Sequence, residues 1–160
     1  MDYKRVLVPG GTYFFTVVTY LRQPIFLDEN AISDFKKSLL KIKKSHPFEI
    51  NAIVILPDHI HTIWTLPEDD ANYPTRWRLI KTDFSRHWIK KIANPLERSA
   101  SRIMKNENTI WQRRFWEHTI TKEEDYLQHL EYVFYNPVKH GYVNDPKDWK
   151  YTFLNNNDYE

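Results

Sequence analysis

The chain has 160 residues, 41% of them hydrophobic and 28% charged, with a formal net charge of +2 and no cysteine. That length can bury one ordinary core unaided, and the lack of cysteine excludes a disulfide framework and any thiolate-held zinc or iron–sulfur centre. A charge of +2 does not by itself mark a nucleic-acid binder, and no run approaches the roughly 18 apolar residues of a membrane span. The amino-terminal stretch also lacks a signal-peptide core, so one unexported, cytoplasmic domain over residues 1–160 is expected.

Taken in chain order, Thr12 to Tyr20 is dense in β-branched and aromatic residues and predicts a strand. From Asp28 to Ser45, Ile32, Phe35, Leu39 and Ile42 recur at helical spacing, with Lys36, Lys37, Lys41, Lys43 and Lys44 on the remaining surface. Phe48–Leu56 and His59–Leu66 read as two strands joined at Pro57-Asp58, a connection short enough to require a hairpin. A helix beginning near Thr75 has Trp77, Ile80, Phe84 and Trp88 as one stripe, with Arg76, Arg78, Lys81 and Arg86 largely off it. Asn94 to Thr109 has no period and is expected to be a loop without chemistry. Phe115 to Ile120 resumes strand character, and Thr121-Lys-Glu-Glu124 fits a capping box opening a last helix at about Lys122. The expected fold is therefore α+β, an antiparallel β-sheet with packed helices.

Alternate side chains of a strand share a face, so His59 and His61 point the same way, roughly 7 Å apart at the backbone, and can converge on one ion. Alone, His-x-His does not separate a metal pair from two hydrogen-bonded surface histidines. On the last helix, Leu127, Leu130 and Phe134 form an apolar stripe, opposite Asp125, Gln128, His129, Tyr132 and Asn136. Tyr132 and Asn136 lie one turn apart, which can set a phenol beside an ion held partly by the amide. Spacing alone favours the plainer alternative of an amphipathic surface tyrosine followed by a helix-ending Asn-Pro.

Leu56-Pro-Asp-His-Ile-His-Thr-Ile-Trp64 resembles the His-hydrophobe-His signature of HUH single-strand nucleases, in the form typical of REP-associated tyrosine transposases. Gly10–Thr16, Phe48–Asn51, Trp111–His118 and Glu131–Gly141 resemble further blocks of that family, in its order and over nearly the whole chain. The segment Asp148-Trp-Lys-Tyr-Thr-Phe153 departs from the Asp-Trp-Pro-Tyr-Ser-Ser often found there, which bears on carboxy-terminal contacts and not on the metal and tyrosine positions.

The resemblance implies an HUH, ferredoxin-like sandwich and a metal-dependent single-strand DNA endonuclease and strand transferase. It implies Tyr132 as nucleophile through a 5′-phosphotyrosine, His59, His61 and Asn136 as metal ligands, and Mg²⁺ or Mn²⁺ as the ion. Its partner would be single-stranded or hairpin DNA of palindromic repeats, met in the cytoplasm at the nucleoid by a monomer or weak dimer. Tyr135 is a poorer nucleophile because its one-turn partner is Lys139, which cannot ligate a metal. Trp111, Arg113, Arg114, Phe115 and Trp116 interleave guanidinium groups with rings, a pattern suited to DNA. Arg113, Arg114, Trp116, Lys139 and His140 are the expected DNA contacts, although strand alternation buries about half of such rings. Two other readings stay open: a non-catalytic repeat-DNA-binding protein or repressor that keeps the fold, and a hydrolase using the histidine pair alone.

Overall fold

A computed structural model describes residues 5–154. Its frame is a five-stranded antiparallel sheet in the order β4-β1-β3-β2-β5, with β1 at Thr12–Val18, β2 at Glu49–Ile55, β3 at His59–Thr65, β4 at Trp116–Ile120 and β5 at Thr152–Phe153. The expected β2–β3 hairpin forms and is closed by Leu56 N–H donating to the His59 carbonyl at 2.9 Å. A register shift between Ile50 and Ala52 marks a bulge in β2.

Two layers cover the sheet. On one face Tyr13, Phe15, Val17, Ile60 and Trp64 pack against α1, Glu29–Ser45, and α2, Tyr73–Trp88. Trp64 stacks on Trp77 of α2 at 4.4 Å between ring centroids. On the other face Phe14, Ala52, Val54 and Ile63 pack against Val133, Tyr126 and Leu130 of the helix at Glu123–Lys139. Because both faces are covered, β3 is buried at every position except Thr65, and its alternation carries Ile60 into one core while His59 and His61 face the other layer.

Four expectations are corrected. Asn94–Thr109 is not all loop: Ser99 caps a short helix, α3, at Ala100–Met104, leaving Glu123–Lys139 as α4. The capping box at Thr121 does not form, because Lys122 is the N-cap and makes no side-chain cap bond. Arg76, largely off the apolar stripe of α2, is nonetheless buried. It is 2% exposed, held by the Asp70 carboxylate and the carbonyls of His46, Pro47 and Asn72.

The packed stripe of α4 is also turned from the expected one. Leu127 is exposed, and the buried positions are Val133, Asn136 and Pro137. The Asn-Pro pair does not end the helix, which continues to Lys139.

Candidate active site

The two histidines occupy alternate rungs of the central β1–β3 ladder, Val18 opposite His59 and Thr16 opposite His61, with Val17 opposite Ile60 between them. Their rings approach edge to face at 4.8 Å. In each ring Nδ1 is engaged, with Asp58 Oδ1 at 2.6 Å from His59 and Thr16 Oγ1 at 2.8 Å from His61. When both Nδ1–H groups donate, both Nε2 atoms keep their lone pairs for a ligand. Asp58 is itself held by Arg22 at 3.1 Å. Leu21 and Arg22 have φ of +51° and +52°, a left-handed conformation costing non-glycine residues about 1–2 kcal/mol each.

Burial drives both imidazoles toward the neutral form that ligates metal. It pushes His61 down to about 3, with the charges of His59, His140, Lys139 and Arg22 acting in the same direction. Burial also lowers His59, against the pull of Asp58. Burial alone would raise the Asp58 carboxyl, but hydrogen bonds and charge from His59 and Arg22 outweigh it and leave it below its ordinary value.

A cavity of about 560 Å³ opens in front of this pair, lined by His59, His61, Tyr132, His129, His140, Gln128, Trp116, Arg22, Phe14 and Thr16. Tyr132 meets His61 edge-on at 5.2 Å and Phe14 at 5.7 Å. The Lys139 ammonium lies 4.9 Å from the tyrosine ring centroid, and His140 lies 5.2 Å from His59. Asn136 is not on the cavity wall. It is 1% exposed one turn beyond Tyr132, and neither atom of its amide has a hydrogen-bond partner.

The other expected DNA contacts divide. Trp116 stands at the cavity edge, 54% exposed. Trp111 is buried and Phe115 packs against the α1–α2 core, so these two rings serve the interior. Arg113 lies away from the cavity, bonded to Glu107 and Ser101, and Arg114 is exposed without lining it. Of the basic helix, Lys41 pairs with Asp83 and Lys36 sits over the Phe153 ring.

The residues did not single out a second polar cluster. His118 Nε2 lies 2.6 Å from Asp125 Oδ2, and His129 Nδ1 lies 3.0 Å from the other oxygen. Ligating atoms of the three residues lie within 4.8 Å of one another. The His129–Asp125 pair is one helical turn apart, a visible spacing, but bringing His118 to it depends on β4 packing beside α4.

The family model for IS200-like transposases matches residues 8–134. The chain belongs to the IS200-like transposase family. A Haemophilus influenzae protein assigned as a REP-associated tyrosine transposase is 44% identical over 151 residues, covering 94% of this chain and 84% of the relative. The REP-associated tyrosine transposase of Escherichia coli K12 is 40% identical over 151 residues, covering 94% of this chain and 81% of its own length. These relatives make the chain a DNA-processing enzyme of the tyrosine transposase class. Among solved structures, a REP-associated tyrosine transposase bound to a REP hairpin superposes with a TM-score of 0.79 at 39% identity, over 95% of this chain and 81% of that one. A Deinococcus radiodurans protein assigned as a transposase shares the fold, with a TM-score of 0.52 at 18% identity over 83% of this chain and 95% of its own. No helix of the described residues is long and apolar enough to cross a membrane.

Proposed function

We propose that this chain, acting as a single HUH domain, is a metal-dependent endonuclease and strand transferase for hairpin-forming repeat DNA, with Tyr132 as its nucleophile. The observation that carries the reading is one cavity holding two neutral, oriented histidines and a half-exposed tyrosine. The relative solved with a REP hairpin supports single-stranded or hairpin DNA of palindromic repeats as substrate. The setting would be the cytoplasm, at the nucleoid, with the enzyme a monomer or weak dimer.

The donor set fits a divalent ion. His59 and His61 would hold it through Nε2, and Asn136 through its amide oxygen; the amide's lack of any other partner is the reason to include it. Three neutral donors leave the other coordination positions to water and phosphate oxygens, the arrangement in which Mg²⁺ or Mn²⁺ serves phosphodiester chemistry. When bound, such an ion neutralises charge on a non-bridging phosphate oxygen.

Tyr132 supplies the attacking oxygen. Its hydroxyl loses a proton as the phenolic oxygen bonds to phosphorus, and the bond from phosphorus to the 3′ oxygen breaks. The departing oxygen takes a proton, leaving a 5′-phosphotyrosine and a free 3′-hydroxyl. Reversal by another 3′-hydroxyl rejoins strands without a nucleotide cofactor. Lys139 brings positive charge to the phosphate, His140 adds a ring on the cavity wall, and Trp116 offers a ring at the entrance for a base.

The test is to incubate labelled hairpin DNA carrying single-stranded flanks with Mg²⁺ or Mn²⁺, then resolve products on denaturing gels. Wild type is expected to give a covalent protein–DNA band that Tyr132→Phe lacks. Cleavage that survives the substitution would favour a hydrolase using the histidine pair alone, and DNA binding without cleavage would favour a non-catalytic repeat binder.

A further inference from the structure

A larger cavity, of about 700 Å³, lies between α2, α3 and the segment that leads into β4. Six cations line it, Arg5, Arg78, Lys81, Arg102, Lys105 and Arg113, with Glu107 the one carboxylate of the lining and Glu117 paired with Arg5 at 2.7 Å. The walls are fixed from within. Arg102 donates to the carbonyls of Asn108 and Trp111 at 2.6 and 3.0 Å. Arg113 is held by Glu107 at 2.6 Å, and Lys81 donates to the Gln112 carbonyl at 2.8 Å. Arg78 and Lys105 are exposed, and no ion pair or hydrogen bond engages either side chain among the described residues.

Glu117 and Glu107 offset part of this charge, and the cations that remain uncompensated give the cavity an excess of positive charge that an entering anion would meet. Lys81 registers this: burial first, then the charges of Arg5 and Arg102, bring it down to about 8. Charges lining a solvated surface would be more dispersed, and an ordinary core would not collect them at all.

Position indicates which anion. Phe115 lines this cavity and Trp116 lines the catalytic one; as neighbours at the start of a strand they point to opposite faces of the sheet. Among the described residues β4 is an edge strand, with β1 its only partner in the sheet. A strand of DNA leaving the catalytic cavity over the exposed ring of Trp116 therefore reaches the basic cavity by rounding one sheet edge.

We propose that this basic cavity is a second anchor for the substrate, binding phosphodiester groups of the DNA on the far side of β4 from the cleavage point. The proposal rests on the reading above in taking DNA as the ligand, but requires nothing of Tyr132 or the metal. The phosphates have two possible sources, the single-stranded flank or the hairpin stem.

The double variant Arg78→Glu/Lys105→Glu tests it, since neither side chain supports the fold and an unchanged melting temperature is expected. Binding of a fluorescent repeat hairpin with its flank is measured by anisotropy over a range of salt. Affinity should fall roughly ten- to a hundred-fold, and the slope of log K against log salt should flatten by about 1.5, as for the loss of two phosphate contacts. The control Lys37→Glu/Lys90→Glu changes net charge equally at exposed positions outside the cavity and should change affinity by a few-fold at most.

Two shortened probes, one without flank and one without stem, identify the source: variant and wild type converge on the probe that lacks the anchored segment. A loss of equal size on both means that both segments contribute. Unchanged affinity, a loss with an unchanged salt slope, or an equal loss in the control overturns the proposal. These binding results are independent of the Tyr132→Phe adduct assay, so failure of the catalytic reading is seen separately.

Discussion

Thr16 and His61 face each other across the β1–β3 ladder, and the 2.8 Å contact between Thr16 Oγ1 and His61 Nδ1 fixes which nitrogen the imidazole turns to the cavity. Thr16→Val keeps the shape and removes the hydrogen-bond partner. Mn²⁺ affinity by calorimetry is expected to fall about ten- to a hundred-fold, while stability to urea changes by about 1 kcal/mol. Equal metal affinity in the variant would show that Thr16 does not orient the ring.

Asn136 is expected to exchange stability for function. A buried amide with no partner costs on the order of 1–3 kcal/mol, so Asn136→Leu should leave the metal-free protein at least as stable as wild type. The same variant should lose metal affinity and at least about a hundredfold in cleavage rate. Thermal melts with and without Mn²⁺ check this, since the metal-induced rise in melting temperature should shrink.

Acid should weaken the metal-free fold through His61. Its folded value, about 3, lies below its ordinary 6.5, so above 6.5 both folded and unfolded states are neutral and the residue contributes no pH dependence. As pH falls below 6.5 the unfolded chain takes up a proton that the folded chain refuses, and stability drops down to about pH 3. The loss is on the order of a few kcal/mol. Asp58, lowered in the folded state, loses its own contribution as it protonates at the acid end. Urea titrations of wild type and His61→Gln between pH 7 and 4 should converge as pH falls.

Arg76 should prove structural. Its guanidinium satisfies Asp70 and buried carbonyls at the turn after α1, and Arg76→Met leaves those carbonyls unpaired. A loss of about 3 kcal/mol in unfolding free energy is expected. Asp70→Asn should cost less, about 1 kcal/mol, because Asp70 is partly solvated.

The β2–β3 hairpin and the shared face of His59 and His61 were legible because a period of two is a local property. The facing of α4 was not. Leu127-Leu130-Phe134 and Tyr126-Leu130-Val133 are rival stripes on one helix, and the packing against Phe14 and Ile63 selects the second. Arg102 was missed because what permits its burial, two backbone carbonyls in a neighbouring loop, leaves no trace in side-chain periodicity. The same loop lines the basic cavity, so the stretch with the least pattern supplies two of its cations, Arg102 and Lys105. Family resemblance, not spacing, joined Tyr132 and Asn136 to the histidines.

The two halves of the candidate site belong to regions of unequal local stability. Six of the seven residues of β3 are buried, whereas only Val133, Asn136 and Pro137 are buried among the 17 residues of α4. Amide protons of β3 should therefore exchange with solvent only through global opening, and those of α4 through cheaper, partial openings. The histidines then stand on the part of the molecule that moves last. A partial opening of the helix bearing Tyr132 would leave that central strand in place.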